Sequence, residues 1–178
     1  MIERPFFDAL ADALCAPRDG EPVVSLWLQA EASDFVRFNH AKVRQATHVE
    51  QCHATLAFTA QGRRAETTLT LAGRVDADIA ALAAERERLH ALLADLPEDP
   101  YLLLPDAVHS SSRDERGTLP TPAQAIDAVA AHAAGDDFVA FVASGPVVRA
   151  YADSRRQRNW HRVETFHVEG GLLLDGRA

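Results

Sequence analysis

Residues 24–29 read Val-Ser-Leu-Trp-Leu-Gln, so that an apolar residue occupies every second position. This period of two predicts a β-strand with one buried face. Similar runs follow at residues 35–38, 47–60 and 65–71, and turn-prone pairs such as Asn39-His40 and Gln61-Gly62 separate them. Short strands joined by tight turns favour an antiparallel meander over residues 22–73.

A helix is predicted on each side of this meander. Apolar residues at helical spacing predict a short amphipathic helix over residues 5–14, which ends before Pro17. The second helix is predicted from Asp76 to Pro97, because it carries an apolar stripe made of Ile79, Leu82, Leu89, Leu93 and Leu96.

The second half of the chain begins after a polar stretch. Residues 106–120 are predicted to be a linker between a first domain, residues 1–105, and the start of a second domain, residues 121–178. Thr121-Pro122-Ala123-Gln124 has the pattern of a capping box and predicts a helix to about residue 134. Three strands are then expected, over residues 138–142, 147–152 and 161–168, with Gly145-Pro146 as a turn.

These elements together predict an α+β fold: a mostly antiparallel β-sheet with helices packed on one face, in two subdomains. The composition fits a globular protein and not a disordered one, because 47% of the 178 residues are hydrophobic and 25% are charged. No apolar run approaches the ~20 residues of a membrane-spanning helix, and the net charge of -8 argues against nucleic-acid binding. The two cysteines and the absence of a recognisable secretory segment predict a cytoplasmic location.

No catalytic pattern is evident in the sequence. The eight histidines include His40, His48, His53, His161 and His167 near predicted strands, but neither His-Glu-x-x-His nor Cys-x-x-Cys occurs. Surface or strand histidines are therefore the favoured interpretation, with no metal expected. Cys15 and Cys52 have no base beside them in sequence, and a small hydrolase that uses Cys52 or His53 stays open as an alternative.

One local cluster stands out. Five arginines lie within fourteen residues, with Trp160 and His161 among them: Arg149, Arg155, Arg156, Arg158 and Arg162. Arginines beside an aromatic ring can bind phosphate or carboxylate groups. Because the chain is acidic overall, a solvated or internally ion-paired face is favoured over RNA binding.

Two stretches resemble known sequences. Residues 33–46, S-D-F-V-R-F-N-H-A-K-V-R-Q-A, resemble the N-terminal signature of the TldD/PmbA family, in which a strand enters an Asn-Gly turn and a second strand follows. Residues 151–161, Y-A-D-S-R-R-Q-R-N-W-H, resemble the family segment f-A-N-S-x-G-q-r-n-W-h. The order of the predicted elements between them also fits, so the resemblance covers most of the chain.

The resemblance implies a role in proteolysis. Family members are cytoplasmic zinc metallopeptidases, or their paired non-catalytic subunits, that mature peptide precursors and degrade small unfolded proteins. Their zinc motif, His-Glu-x-x-x-His, lies downstream of the second segment, and this sequence ends at Ala178 before it. We therefore expect no catalytic residue and no cofactor in this chain, with zinc belonging to the full-length family.

The function expected from the resemblance is that of an N-terminal, non-catalytic portion. It would position an extended, unfolded peptide, with an exposed strand edge between Val23 and Leu71 as the acceptor, and it would dimerise with an identical or related subunit. The residues expected to contact peptide or partner are Arg37, Asn39, Arg44, Arg158, Asn159, Trp160 and His161. Alternatively, Trp160 belongs to the core and Asn159 to a turn.

The sequence also departs from the family pattern. Ala41 and Arg156 stand where the family has glycine, and Asp153 where it has asparagine. Alanine disfavours the positive φ that the glycine of the first turn would adopt. These departures keep a second hypothesis open, that of a stand-alone interaction or scaffold protein that has lost the peptidase part.

Overall fold

The computed structural model describes residues 1–105 and 107–174. Six strands are present in these ranges: β1 (Val23–Asn39), β2 (Lys42–Ala60), β3 (Arg63–Thr70), β4 (Ser111–Glu115), β5 (Phe138–Asp153) and β6 (Arg158–Leu172). They form a sheet in the order β3-β2-β1-β5-β6-β4. Neighbouring strands run antiparallel, except that β4 runs parallel to β6.

The helices of the described residues all pack on the same face of this sheet. They are α1 (Arg4–Leu14), α2 (Val75–Leu93) and α3 (Pro122–Ala133). Leu26 and Leu28 of β1 lie in the core below α1 and α2, and Val36 and Phe38 lie in a second core below α3. These four residues are separated by even numbers of positions along the strand, so their side chains point to the same face of the sheet. The predicted α+β fold with helices on one face is therefore confirmed.

The meander is present, but its first strand is longer than predicted. Residues 24–29 and 35–38 belong to one strand, because β1 pairs with β2 from Val23 opposite Thr59 to Asn39 opposite Lys42. The register shifts only once, between Arg37 and Phe38. The polar residues in the middle of β1 are compatible with a strand because no helix core covers that part of the sheet.

The turn predicted at Gly145-Pro146 is wrong, since both residues lie inside β5. Ser154 lies eight residues after Pro146, and positions separated by an even number of residues direct their backbone N–H groups to the same side of a strand. The Ser154 N–H donates to the Val24 carbonyl of β1. The missing N–H of proline therefore faces β1, where the pairing with β5 is interrupted. A Cβ at Gly145 would lie 2.0 Å from the Ala32 carbonyl oxygen, so only glycine lets the two backbones approach this closely.

The predicted linker contributes to the sheet. Its first residue, Asp106, is outside the described residues, as are residues 175–178 at the end of the predicted second domain. Residues 111–115 form β4, which pairs with β6. The pairing of β1 with β5 joins the two halves of the chain, so the two predicted subdomains share one sheet.

The predicted capping box of α3 is present. The backbone N–H of Gln124 donates to Thr121 Oγ1 at 3.2 Å, and the backbone N–H of Thr121 donates to Gln124 Oε1 at 2.9 Å. These two bonds satisfy backbone donors that a helix leaves free at its N-terminus. The start of α3 is therefore fixed by local sequence.

Ala41 and Arg156, which stand where the family pattern that the sequence resembles has glycine, both have a positive φ. His40 and Ala41 have φ values of 50° and 54°, as in the hairpin turn that glycine usually forms, and Arg156 has a φ of 76°. The expectation that Ala41 avoids positive φ is thus wrong. The paired strands on both sides impose this turn, and the Ala41 N–H donates to the Phe138 carbonyl at 3.0 Å.

Ala41→Gly and Arg156→Gly are each expected to stabilise the fold by roughly 0.5–1 kcal/mol. A non-glycine residue in this conformation costs about 1–2 kcal/mol, and the greater chain entropy of unfolded glycine offsets part of the gain. Urea denaturation of the two variants measures the change. Ala143→Gly, inside β5, is the control and is expected to destabilise by about 0.5–1 kcal/mol. Destabilisation by Ala41→Gly would contradict the observed turn.

Candidate functional site

The second of the two motifs forms the hairpin between β5 and β6. Asp153 is 1% exposed, and its Oδ1 accepts the backbone N–H groups of Arg155 at 2.9 Å and Gln157 at 3.1 Å. Its Oδ2 pairs with the Arg155 guanidinium at 2.9 Å. Asp153 therefore closes the hairpin from inside.

Two of the predicted binding residues in this motif attach the hairpin to neighbouring elements. Arg158 pairs with Asp8 at 3.5 Å and Asp12 at 2.5 Å, which attaches the hairpin to α1. Asn159 Nδ2 donates to the His109 carbonyl and to Ser111 Oγ, which attaches the hairpin to the start of β4.

Trp160 is a core residue and not a surface contact. It is 2% exposed, its ring centroid lies 6.1 Å from that of Phe7, and its Nε1 donates to Asp114 Oδ2 at 3.3 Å. His161 is different, because it lies on the face without helices, in register between Arg149 of β5 and Arg113 of β4.

The arginine cluster is largely neutralised by carboxylates of the chain itself. Arg155 and Arg158 make the pairs described above, and Arg162 pairs with Glu164 at 2.8 Å. Arg149 donates to the Val148 carbonyl at 2.8 Å. These contacts form an internal ion-pair network. The sequence analysis favoured this interpretation over RNA binding.

The first motif places its predicted residues around the hairpin between β1 and β2. Arg37 and Arg44 are exposed, and Asn39 ends β1 opposite Lys42. Among the described residues, none makes a side-chain hydrogen bond or ion pair with Arg37, Asn39 or Arg44. These three are therefore free to contact a ligand.

The two groups of predicted residues do not form one site. Phe38 pairs with Ala140 near the start of β5, whereas Ser25 pairs with Asp153 at its end. At about 3.3 Å per residue, the two ends are roughly 40 Å apart. Any site at the first hairpin is thus separate from the second motif.

An open strand edge runs beside the first hairpin. β3 pairs with β2 only between His53 and Ala60, and the N-terminal amine of Met1 forms an ion pair with Glu50. Residues 42–49 of β2 consequently have no strand on their outer side within the described residues, and all are exposed. Within the predicted edge, Val23 to Leu71, this segment and the outer side of β3 are therefore the described parts without a partner strand.

The hydrogen bonds of Cys52 show which backbone groups this edge offers. The Leu71 N–H donates to the Cys52 carbonyl at 2.8 Å, so Cys52 directs its polar groups away from β1. Residues separated by an even number of positions on a strand direct their backbone N–H and C=O groups to the same side. Ala46 and His48 therefore present free N–H and C=O groups, and a peptide added at this edge can pair with both.

A second exposed surface was missed by the sequence analysis. Phe166, Val168 and Leu172 of β6 are 66%, 57% and 52% exposed. With Val129 of α3 and Leu119 before it, they line a groove of about 860 Å³. In the sequence, Phe166, Val168 and Leu172 alternate with polar residues, which indicates one face of a strand. The alternation does not reveal that these side chains stay exposed.

The described residues offer no donor set for zinc. In residues 1–105 and 107–174, no three His, Cys, Asp or Glu side chains converge to hold a metal ion. His48 instead pairs with Asp34 at 2.8 Å, and His53 Nδ1 lies 3.2 Å from Thr70 Oγ1. No catalytic step is assigned to these residues.

Both thiols are held in their neutral form. Burial raises the pKa of the Cys15 thiol to about 12, and burial followed by the Asp78 charge raises the pKa of the Cys52 thiol to about 11. The thiolate is the nucleophilic form of cysteine. Neither residue is thus prepared for nucleophilic catalysis.

Comparison by sequence finds no counterpart: no protein-family model matches this chain, and no curated protein does. None of the helices in the described residues has the length and apolar character to cross a bilayer.

Comparison by structure does find counterparts. TldE from Thermococcus kodakarensis matches 83% of this chain with a TM-score of 0.56 and 5% identity. Candidate modulators of DNA gyrase match as well: 98% of the chain at a TM-score of 0.58 and 15% identity for the Bacteroides thetaiotaomicron protein, and 92% at 0.55 and 11% for the Thermotoga maritima protein.

The class defined by these matches is an α+β domain with the fold of TldE and of the gyrase-modulator proteins. The predicted resemblance to the TldD/PmbA family is thereby confirmed as a likeness of fold. The chain covers 39%, 41% and 38% of the three structures, in the order given, which is about two fifths of their length.

Both cysteines are expected to resist a thiol reagent such as DTNB at pH 8 in the folded protein. With pKa values near 12 and 11, the thiolate fraction is far smaller than for a free cysteine, and both side chains are buried. In guanidinium chloride the two thiols should react at the rate of unhindered cysteines. Rapid labelling of folded Cys52, located by mass spectrometry, would contradict this and restore the hydrolase alternative.

Proposed function

We propose that this chain is the N-terminal, non-catalytic portion of a TldD/PmbA-like cytoplasmic metallopeptidase or of its partner subunit. In that role it positions an extended peptide and contacts a second subunit. The likeness of fold to TldE supports the proposal. Proteolysis in this scheme requires a zinc site built by residues other than those described here.

The observation that carries the peptide-binding part is the open edge at residues 42–49 of β2. Ala46 and His48 point their backbone N–H and C=O groups outward, and a peptide strand can satisfy them by antiparallel or parallel addition. Main-chain bonds do not depend on the side chains of the peptide. Such an edge therefore suits a substrate that is defined by being unfolded and not by its sequence.

The charges beside this edge favour one class of peptide. Lys42 and Arg44 are exposed on the edge strand and Arg37 on the neighbouring strand, in a chain whose net charge is -8. Their guanidinium and ammonium groups can pair with carboxylates. Acidic peptides, or a peptide C-terminus, should therefore bind more tightly than basic ones.

Ala46→Pro is expected to weaken the binding of a fluorescein-labelled unfolded peptide by about tenfold. Proline removes the outward N–H and leaves the ladder to β1 intact, because Ala46 does not donate to β1. One hydrogen bond contributes about 0.5–1.5 kcal/mol, and about 1.4 kcal/mol corresponds to a factor of ten in affinity. Fluorescence anisotropy measures the change.

Ala46→Thr is the matched control, because it keeps the N–H in a residue that favours strands. It should bind like the wild type, and circular dichroism should show that both variants fold. Equal affinity of the two variants would refute edge binding at β2. A wild-type protein that binds no unfolded peptide at high micromolar concentration would refute the peptide-binding role and favour the scaffold alternative.

A further inference from the structure

A groove lies on the face of the sheet without helices, near the hairpin between β1 and β2. Ala140 and Val142 of β5 pack below α3, so Phe141 between them points to the opposite face. The groove has a volume of about 630 Å³, which is within the range of small-molecule sites. Side chains of β1, β5 and β6 line it, among them Phe35, Arg37, Val139, Phe141 and Glu169.

Stacked rings form the apolar wall of this groove. The ring centroids of Phe35 and Phe141 are 5.6 Å apart, and the two planes are inclined by 26°. The His167 ring continues the row, with its centroid 5.3 Å from that of Phe141. Aromatic side chains attract other planar rings through stacked and edge-to-face contacts. The wall therefore favours a planar aromatic ligand over an aliphatic one.

Gly171 leaves open space in the floor of the groove. No atom lies within 4 Å of the position that a Cβ of Gly171 would occupy. Gly171 is opposite Val139 in the pairing of β5 with β6, and its φ is not in the left-handed region. A side chain is therefore compatible with the backbone at this position, but it would occupy the groove.

Two charged residues stand on opposite sides of Phe141. Arg37 of β1 is opposite Phe141 of β5, which is itself opposite Glu169 of β6. Two strand spacings place the Cα atoms of Arg37 and Glu169 roughly 10 Å apart. Glu169 Oε2 lies 3.5 Å from His167 Nε2, whereas Arg37 has no ion-pair partner among the described residues. The Arg37 guanidinium is therefore available for an anion.

We infer that this groove binds a small aromatic anion: a planar ring with a carboxylate or phosphate group at one end and an N–H group at the other. Arg37 donates charge-assisted hydrogen bonds to the anion, and the aromatic wall contacts the ring. Glu169 repels the anion and accepts the N–H of the ligand. The opposite charges on the two sides of the groove thus fix the orientation of the ligand.

This site is distinct from the peptide edge of the proposed function. The peptide edge uses backbone groups of Ala46 and His48 on the outer side of β2, whereas the groove uses side chains on one face of β1, β5 and β6. Arg37 is near both. The inference does not require that the chain bind peptides.

Binding and its place are measured together by two-dimensional NMR of isotope-labelled protein titrated with indoleacetate. The backbone N–H signals of Phe141 and Gly171 should shift and saturate, with a dissociation constant below about 1 mM. Indole-ethanol lacks the carboxylate and should bind about tenfold more weakly. Naphthaleneacetate lacks the N–H group and should bind about threefold more weakly. AMP is the phosphate probe, and its affinity relative to indoleacetate shows which anion Arg37 prefers.

Two variants test the residues of the groove. Gly171→Val should abolish the binding of indoleacetate because the side chain fills the floor, while valine suits a strand. Arg37→Gln should weaken indoleacetate about tenfold and leave indole-ethanol unchanged. Arg88→Gln is the matched control, because it removes the same charge from α2, where Arg88 pairs with Glu85 at 2.7 Å. It should bind indoleacetate like the wild type, and the NMR spectra show that each variant folds.

Three results would overturn the inference: no saturable shifts up to about 5 mM indoleacetate, shifts centred on Val129 and Phe166 of the other groove, or unchanged affinity of Gly171→Val. The peptide site is tested separately. Gly171→Val should keep the affinity for unfolded peptide, and Ala46→Pro should keep the affinity for indoleacetate. A wild type that binds indoleacetate but no peptide would refute the peptide-binding role and leave this inference standing.

Discussion

The antiparallel pairing of β1 with β5 is the contact on which the remaining structure depends. It joins the two halves of the chain along almost the whole length of both strands, from Ser25 opposite Asp153 to Phe38 opposite Ala140. The core below α1 and α2 uses Val148, Ala150 and Ala152 of β5, whereas the core below α3 combines β1 and β5 residues. Neither helix layer has a complete floor without this pairing. Because it joins residues more than a hundred positions apart, its closure costs more chain entropy than the closure of a local hairpin.

The unequal lengths of the strands create the surfaces with functional potential. β3 and β4 border only one end of the sheet, which leaves four strands, β2-β1-β5-β6, at the other end. Both outer strands there expose backbone groups. The β2 edge carries Lys42 and Arg44, charges that discourage uncontrolled strand addition. The β6 edge carries the exposed apolar side chains of Phe166, Val168 and Leu172.

The two motifs that carry the resemblance serve mainly to fix hairpins. Asp153, Arg158 and Trp160 tie the β5–β6 hairpin to itself, to α1 and to β4. Ala41 and Arg156 keep backbone conformations that glycine adopts more easily. A fold can thus be retained at 5–15% identity to its structural neighbours, because backbone geometry and core burial tolerate changes in most side chains.

The sequence by itself determined the type and approximate place of the elements: alternation gave β1 to β3, the apolar stripe gave α2, and Thr121 with Gln124 fixed the start of α3. These signals are local, since they depend on residues within one or two turns or along one strand. Only the tertiary structure decided that β5 passes through Gly145-Pro146, that Trp160 is buried and that part of the polar linker forms β4. It also decided which edges stay open, because an unpaired backbone group has no side-chain signature and strand pairing across distant residues leaves no local pattern.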